Sequence, residues 1–287
     1  MEILYLGVTV SLYIPDTLVA LVCTVISALV AALGFAIIHS PRLRDLLARM
    51  TVYKGRVGYQ PDSAVETVAL LLALLMIFYN VSTFVFVGGT SGVAQALDTQ
   101  TPPLLLALAN AALNLFVAVL GVGLFIRRNE YQTLERLGLR WPTRGDVVMG
   151  LLGGMGLVVI MFAMGTLISR LVPLDVLQQQ YQAVDVVNAP LAASILVAFL
   201  SAIIYGTTEE ILYRGALQPI FGLGLTTLLF VLIHLQYLFT PAMLIILVVG
   251  LVLGLLRQRL STSASILAHI VYNIVPFIVV LALGGHA

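Results

Sequence analysis

Long, nearly uncharged apolar stretches recur along the whole chain, and they decide what it can fold into. They run Thr17–His39, Ala64–Val87, Pro103–Ile126, Asp146–Val172, Leu191–Thr208, Leu223–Phe239, Pro241–Leu256 and Ala264–Leu283. A helix rises about 1.5 Å per residue, so roughly 20 such residues cross the hydrocarbon core of a bilayer. Backbone in lipid has no water to bond to, which favours the self-bonded helix. The expectation is an all-α polytopic membrane bundle of about eight transmembrane helices. The sixth and seventh stretches are short and meet at a tight Thr240-Pro241 turn, which suits helices sheltered by others. Composition agrees: 61% of residues are hydrophobic and 9% charged, at a mean hydropathy of +1.09, where a soluble domain carries about 25% charge.

Charge placement gives an orientation. Arg42, Arg44, Arg49, Lys54 and Arg56 fall in the first loop, and Arg127, Arg128, Arg136, Arg140 and Arg144 in the third. Arg214 follows the fifth stretch; Arg257 and Arg259 follow the seventh. Thirteen of the 14 basic residues therefore share one loop parity, Arg170 being the exception. By the positive-inside rule these loops face the cytosol and both termini lie outside, with Asp98 on the outer side. The third loop, with Trp141-Pro142-Thr143, is the expected boundary between N-terminal helices (1–145) and a polar-lined core (146–287). A net charge of +1 without a basic run interleaved with aromatics argues against nucleic acid as a partner. The single cysteine, Cys23, forms no internal disulfide, and no zinc-type Cys/His spacing exists. The start of the chain lacks the basic n-region of a secretory signal.

Polar groups then stand out against this background. Glu209-Glu210-Ile211-Leu212-Tyr213-Arg214 closes the fifth stretch, His234 lies about 11 residues into the sixth, and His269 and Asn273 lie in the eighth. An ionised side chain in a membrane is costly by a few kcal/mol or more, so such groups point to a use. With about 1.5 Å per residue, the charge-derived topology brings all of them to the cytosolic half of the membrane. Glu210 and Arg214 are i,i+4 and can pair; Glu209 points about 100° away. His269 and Asn273 are also i,i+4, and Phe230 is one turn before His234. A carboxylate beside imidazoles can take a proton from water, and His and Asn can donate to an oxyanion: these are parts of a hydrolase.

Each piece has a plainer reading. Glu210–Arg214 alone is a helix-end salt bridge, a lone buried His is usually a packing residue, and a lone Asn is interhelical glue. The combination favours chemistry. Glu66 and Asp146 suit helix N-termini. Asn80, Asn110 and Asn114 have no acid or base near them in sequence, and Gly150-xxx-Gly154 and Gly250-xxx-Gly254 allow close helix packing. HExxH is absent, no Asp lies mid-helix, and Gly89-Thr90-Ser91-Gly92 reads as a loop turn.

Taken in order, Glu209-Glu210-xxx-Arg214, Phe230-xxx-His234 and His269-xxx-Asn273 resemble the three signature motifs of the CPBP (ABI/CAAX-type) intramembrane endopeptidases. Gly250 to Gly254 and Ser265-Ile266-Leu267 resemble the family's glycine-rich helix and the approach to its last motif. The resemblance covers about residues 195–275. It implies a CAAX-protease-like core in which Glu209 is the general base on water, and Glu210 and Arg214 orient and support it. His234 and His269 would position water or substrate, and Asn273 would help hold the oxyanion. The expected enzyme is an intramembrane peptidase without a cofactor; zinc on Glu209, His234 and His269 is the alternative, since two His and a Glu suit that metal. Expected partners are the lipid bilayer and a protein or peptide substrate, lipidated or not. The expected location is a prokaryotic cell membrane with the cavity open to the cytosol. A non-catalytic homologue serving bacteriocin immunity or scaffolding is the competing reading. A proton-coupled transporter is disfavoured by the lack of inverted repeats.

Overall fold

The computed structural model describes residues 2–5, 8–11, 17–54, 56–97, 102–192 and 194–282. Asp98, Leu283 and His286 lie outside them. The helices are α1 (Thr17–His39), α2 (Pro41–Met50), α3 (Ala64–Phe86), α4 (Gly89–Leu97), α5 (Pro103–Gly121), α6 (Glu130–Leu137), α7 (Arg144–Leu171), α8 (Leu174–Ala192), α9 (Ile195–Glu210), α10 (Gln218–Ile233), α11 (Met243–Arg259) and α12 (Thr262–Ala282). A π-helical segment, Ile211–Leu217, joins α9 to α10, and a 3₁₀ turn, Leu235–Tyr237, follows α10. Two short antiparallel hairpins complete the description: β1 (Glu2–Tyr5) with β2 (Val8–Ser11), and β3 (Val52–Tyr53) with β4 (Arg56–Val57).

All eight apolar stretches contain helix, and the molecule is an all-α membrane helix bundle. Among the described residues five helical runs are long and apolar enough to span: Leu21–His39, Ala64–Phe86, Pro103–Gly121, Arg144–Leu171 and Ile195–Ile233. Thr262–Ile278 is a shorter apolar helix. The third span stops at Gly121 rather than Ile126, because Gly123 enters the left-handed region at φ 94 and turns the chain.

Residues 195–233 need the most explanation. A straight helix of that length would be about 58 Å long, twice the hydrocarbon thickness. Gly222 breaks it, with φ 70 and ψ −177, a conformation that glycine adopts without a Cβ clash. The chain folds back there. Arg214 and Phe230 would be about 24 Å apart on a straight helix, yet the guanidinium lies 4.6 Å from the Phe230 ring centre. The run is thus a helical hairpin with its apex at Gly222. Its most apolar window is 56% buried, against 6–22% for the other four spans, so it is the interior element and the others shelter it.

This corrects one expectation. Arg214 is not a loop residue after the fifth helix, and Glu209 and Glu210 are not at a helix end. Helix continues from Ile195 through the π segment to the apex, about 12 residues or ~18 Å beyond Glu210.

Glycines set the spacing around the hairpin. A Cβ on Gly250 would lie 2.9 Å from Thr227, and one on Gly254 2.3 Å from Leu223, so α11 rides directly on α10. Across α12, a Cβ on Gly154 would come within 2.6 Å of the Ala268 carbonyl, and one on Gly206 within 2.9 Å of Ile270. Helix α12 is therefore held between α7 and α9 at backbone contact. On the apex, the β3–β4 segment packs so closely that a Cβ on Gly58 would meet the Ile220 carbonyl at 2.4 Å.

Candidate active site

The π segment begins directly after Glu209-Glu210, and its cause is local. Pro219 has no N–H, so the carbonyls one turn before it lose a helical donor. Two arginines replace it. Arg257 Nε donates to the Arg214 carbonyl at 3.2 Å, and Arg136 donates from Nη1 to the Gly215 carbonyl at 3.0 Å and from Nη2 to that of Ala216 at 3.4 Å. Wide π turns are concentrated at functional sites, where they re-aim side chains. Here the turn puts Arg214 inward, fully buried.

Glu210 is the hub. Its carboxylate has no solvent exposure. It accepts from Ser265 Oγ at 2.5 Å and from His269 Nδ1 at 3.0 Å, and Arg214 Nε lies 3.4 Å away. Arg214 Nη2 also donates to the Gly250 carbonyl at 3.3 Å, an acceptor open because that glycine lets the helices touch. A buried carboxylate is tolerable only when paired and fully bonded, and three partners from the π segment and α12 provide that.

His234 lies at the end of α10, where its Nδ1–H donates to the Phe230 carbonyl at 2.8 Å. The Phe230 ring fills the centre. It lies 4.8 Å from the His234 ring, 5.9 Å from His269 and 5.5 Å from Tyr213, besides carrying the Arg214 guanidinium on its face. Both imidazoles thus have Nδ1 committed to an acceptor and present Nε2. Such fixation sets tautomer and ring angle.

Glu209 is half-buried, unlike its neighbour, and its charge reaches His234, Tyr205 and Tyr213. Tyr205 and Tyr213 flank it at i−4 and i+4, and Asn110 of α5 bonds the Tyr205 side chain. Along the chain no acid or base lies near Asn110. Only the packing of α5 on α9 brings it within one residue of Glu209. Asn273 lies one turn beyond His269, half-buried, and outside the hydrogen-bond cluster of Glu210. So Arg214, His234, His269 and Tyr213 surround Phe230, Glu210 ties Arg214 to His269, Glu209 borders them, and Asn273 continues the α12 face.

Among the described residues no group of three His, Cys, Asp or Glu side chains is placed to hold a metal ion.

Residues 191–275 match the family model Rce1-like, described as type II CAAX prenyl endopeptidase Rce1-like. No curated protein and no solved structure matches the chain.

Proposed function

We propose, on the premise that residues 191–275 belong to the CPBP (CAAX-type) intramembrane endopeptidase family, that the chain hydrolyses peptide bonds of a membrane-associated protein or peptide with a glutamate-activated water. The chain is an integral membrane protein, and the cavity is read as open to the cytosol from the basic-loop parity. Glu209 is the base. It takes a proton from water, which attacks the scissile carbonyl. The Nε2 atoms of His234 and His269 hold water and substrate oxygen, and the Asn273 amide donates to the oxyanion. The proton then passes to the leaving amine. Glu210 does no proton transfer in this scheme. It positions His269 and holds Arg214. The reaction needs no cofactor, and a lipid anchor on the substrate would lie in the bilayer beside the hairpin.

The observation that supports this reading best is the division of labour within the glutamate pair. One carboxylate is sealed among Arg214, Ser265 and His269, and its neighbour is left half-buried with its charge reaching the His234 imidazole. A purely structural Glu210–Arg214 pair would not need the second acid. The test is cleavage of a substrate found by proteomics of C-terminal peptides, using membrane-inserted variants. Glu209→Gln should lose roughly 10²–10⁴-fold in rate, the contribution of a general base, with its fold intact. Full activity would remove Glu209 from the role. Inactivation by a chelator, reversed by zinc, would retain the peptidase and replace the mechanism.

A further inference from the structure

Outside the hairpin, the loop that follows α5 forms a second built feature. Gly123 at φ 94 and Phe125 at φ 59 fold residues 123–128 into a tight turn. The N–H groups of Arg127 and Arg128 both donate to the Gly123 carbonyl at 3.0 Å, that of Phe125 donates to the Arg128 carbonyl at 3.0 Å, and Arg128 Nη1 reaches the Val122 carbonyl. A bulky residue is held left-handed only where the surroundings insist on it. The result is that Phe125 and Ile126 project outward, 78% and 79% exposed.

Two adjoining shallow depressions, open to the surface, share this loop. One, of about 400 Å³, is lined by Arg127, Arg128, Gln132, Glu135 and Arg136. The other, of about 350 Å³, is lined by Phe125, Ile126, Arg127, Arg128, Asn129 and Glu130. The first holds three arginines against one glutamate. The second sets Phe125 and Ile126 beside Arg127 and Arg128, which both depressions share, with Glu130 as its one acid. Both lie at the end of α5, an apolar span, so at the membrane–water boundary whichever way the chain faces. Tyr131 and Trp141, both strongly exposed, lie on the same segment and suit that boundary.

We propose that this paired depression binds an anionic phospholipid, with the headgroup phosphate among Arg127, Arg128 and Gln132 and the acyl portion along Phe125 and Ile126. A free phosphate would use the cations alone and gain nothing from two exposed hydrophobic residues locked beside them. Partial burial and then the charge of Arg127 push the Arg128 guanidinium below the ordinary arginine pKa, a crowding that an anion relieves. Arg136, in the lining of the first depression, also caps the π segment through Gly215 and Ala216. Lipid in that depression is therefore one side chain away from the helix that carries Glu209 and Glu210. The proposal does not depend on the peptidase reading.

The experiment is native mass spectrometry of the purified chain in detergent, titrated separately with phosphatidylglycerol, phosphatidylcholine and inorganic phosphate. The wild type should retain phosphatidylglycerol in preference to phosphatidylcholine. Arg127→Gln should weaken that binding about 5-fold and Arg127→Gln with Arg128→Gln about 10–30-fold, while Arg42→Gln, on α2 and in neither lining, leaves it unchanged. Phe125→Ser with Ile126→Ser keeps every cation and should also weaken lipid binding. Equal retention of the two lipids would overturn the proposal. So would apolar variants that bind as wild type, or displacement by millimolar phosphate, since either marks a site for free phosphate. The single Arg127→Gln variant keeps the test decisive if loss of the Arg128–Val122 bond harms folding.

Discussion

Glu209 and Glu210 are adjacent and chemically alike, yet packing gives them opposite duties, and substitutions should separate these. Glu210→Gln leaves the Arg214 guanidinium buried without its counter-charge, and breaking such a pair from one side costs about 3–5 kcal/mol. The expected result is a lower unfolding midpoint in detergent and less folded protein, accompanied by loss of activity. Glu209→Gln should lose activity with the midpoint almost unmoved. Asn273→Ala should lose about 10²–10³-fold in rate, as for an oxyanion donor, at wild-type stability. The motif residues were legible in the sequence as types and spacings, because i,i+4 pairing is a local property. Ser265 as a partner of Glu210, and Asn110 beside Tyr205, were not: each contact joins segments more than 50 residues apart, and nothing along the chain encodes it.

At the scale of elements, glycines at backbone contact determine how His269 reaches Glu210. Helix α7 offers a matched pair for testing this. A Cβ at Gly154 would come within 2.6 Å of the Ala268 carbonyl, whereas one at Gly156 would meet nothing within 4 Å. Gly154→Ala should therefore push α12 outward, cost about 1–3 kcal/mol as overpacking does, and reduce activity. Gly156→Ala should be neutral or slightly stabilising, since alanine is the better helix former. Thermal unfolding and cleavage rates of the two variants decide it. The apolar spans were readable because hydropathy reports burial in lipid. Helix α8 was not: Asp175, Gln178, Gln179, Gln180 and Asp185 make its segment look like a polar loop, and its helicity serves packing against α4 rather than crossing. The π segment left one trace, Pro219 nine and ten residues after the two glutamates, whose missing N–H asked for outside donors.

For the whole molecule, the third loop and the first are joined to the core on one side. The charges of Arg257 and Arg140 reach Lys54, Thr262 Oγ donates to the Leu137 carbonyl at 2.6 Å, and Asp146 accepts from Ser261 at 2.7 Å and pairs with Arg140 at 3.0 Å. Gly138, at φ 67, lies so close to the Arg257 guanidinium that a Cβ would be 2.4 Å from it. Cysteines introduced at 54 and 140 on a Cys23→Ser background must then share one side of the membrane. In intact cells an impermeant thiol reagent should label neither, and both should react after the membrane is opened. Labelling of one but not the other would contradict the packing, and prompt labelling of both would reverse the orientation.

The hairpin apex has a consequence for how such a chain can vary. Glu210 stands 12 residues before Gly222 and His234 stands 12 after it, so the two arms measure equal depth from one point. Adding or removing a residue in either arm would turn every later side chain of that arm by about 100° and shift it by ~1.5 Å. A matched change in both arms would restore depth but not angle. Length variation among chains of this design is therefore expected in the connections outside Glu210–His234, while the stretch between them behaves as a vernier whose two scales must be cut together.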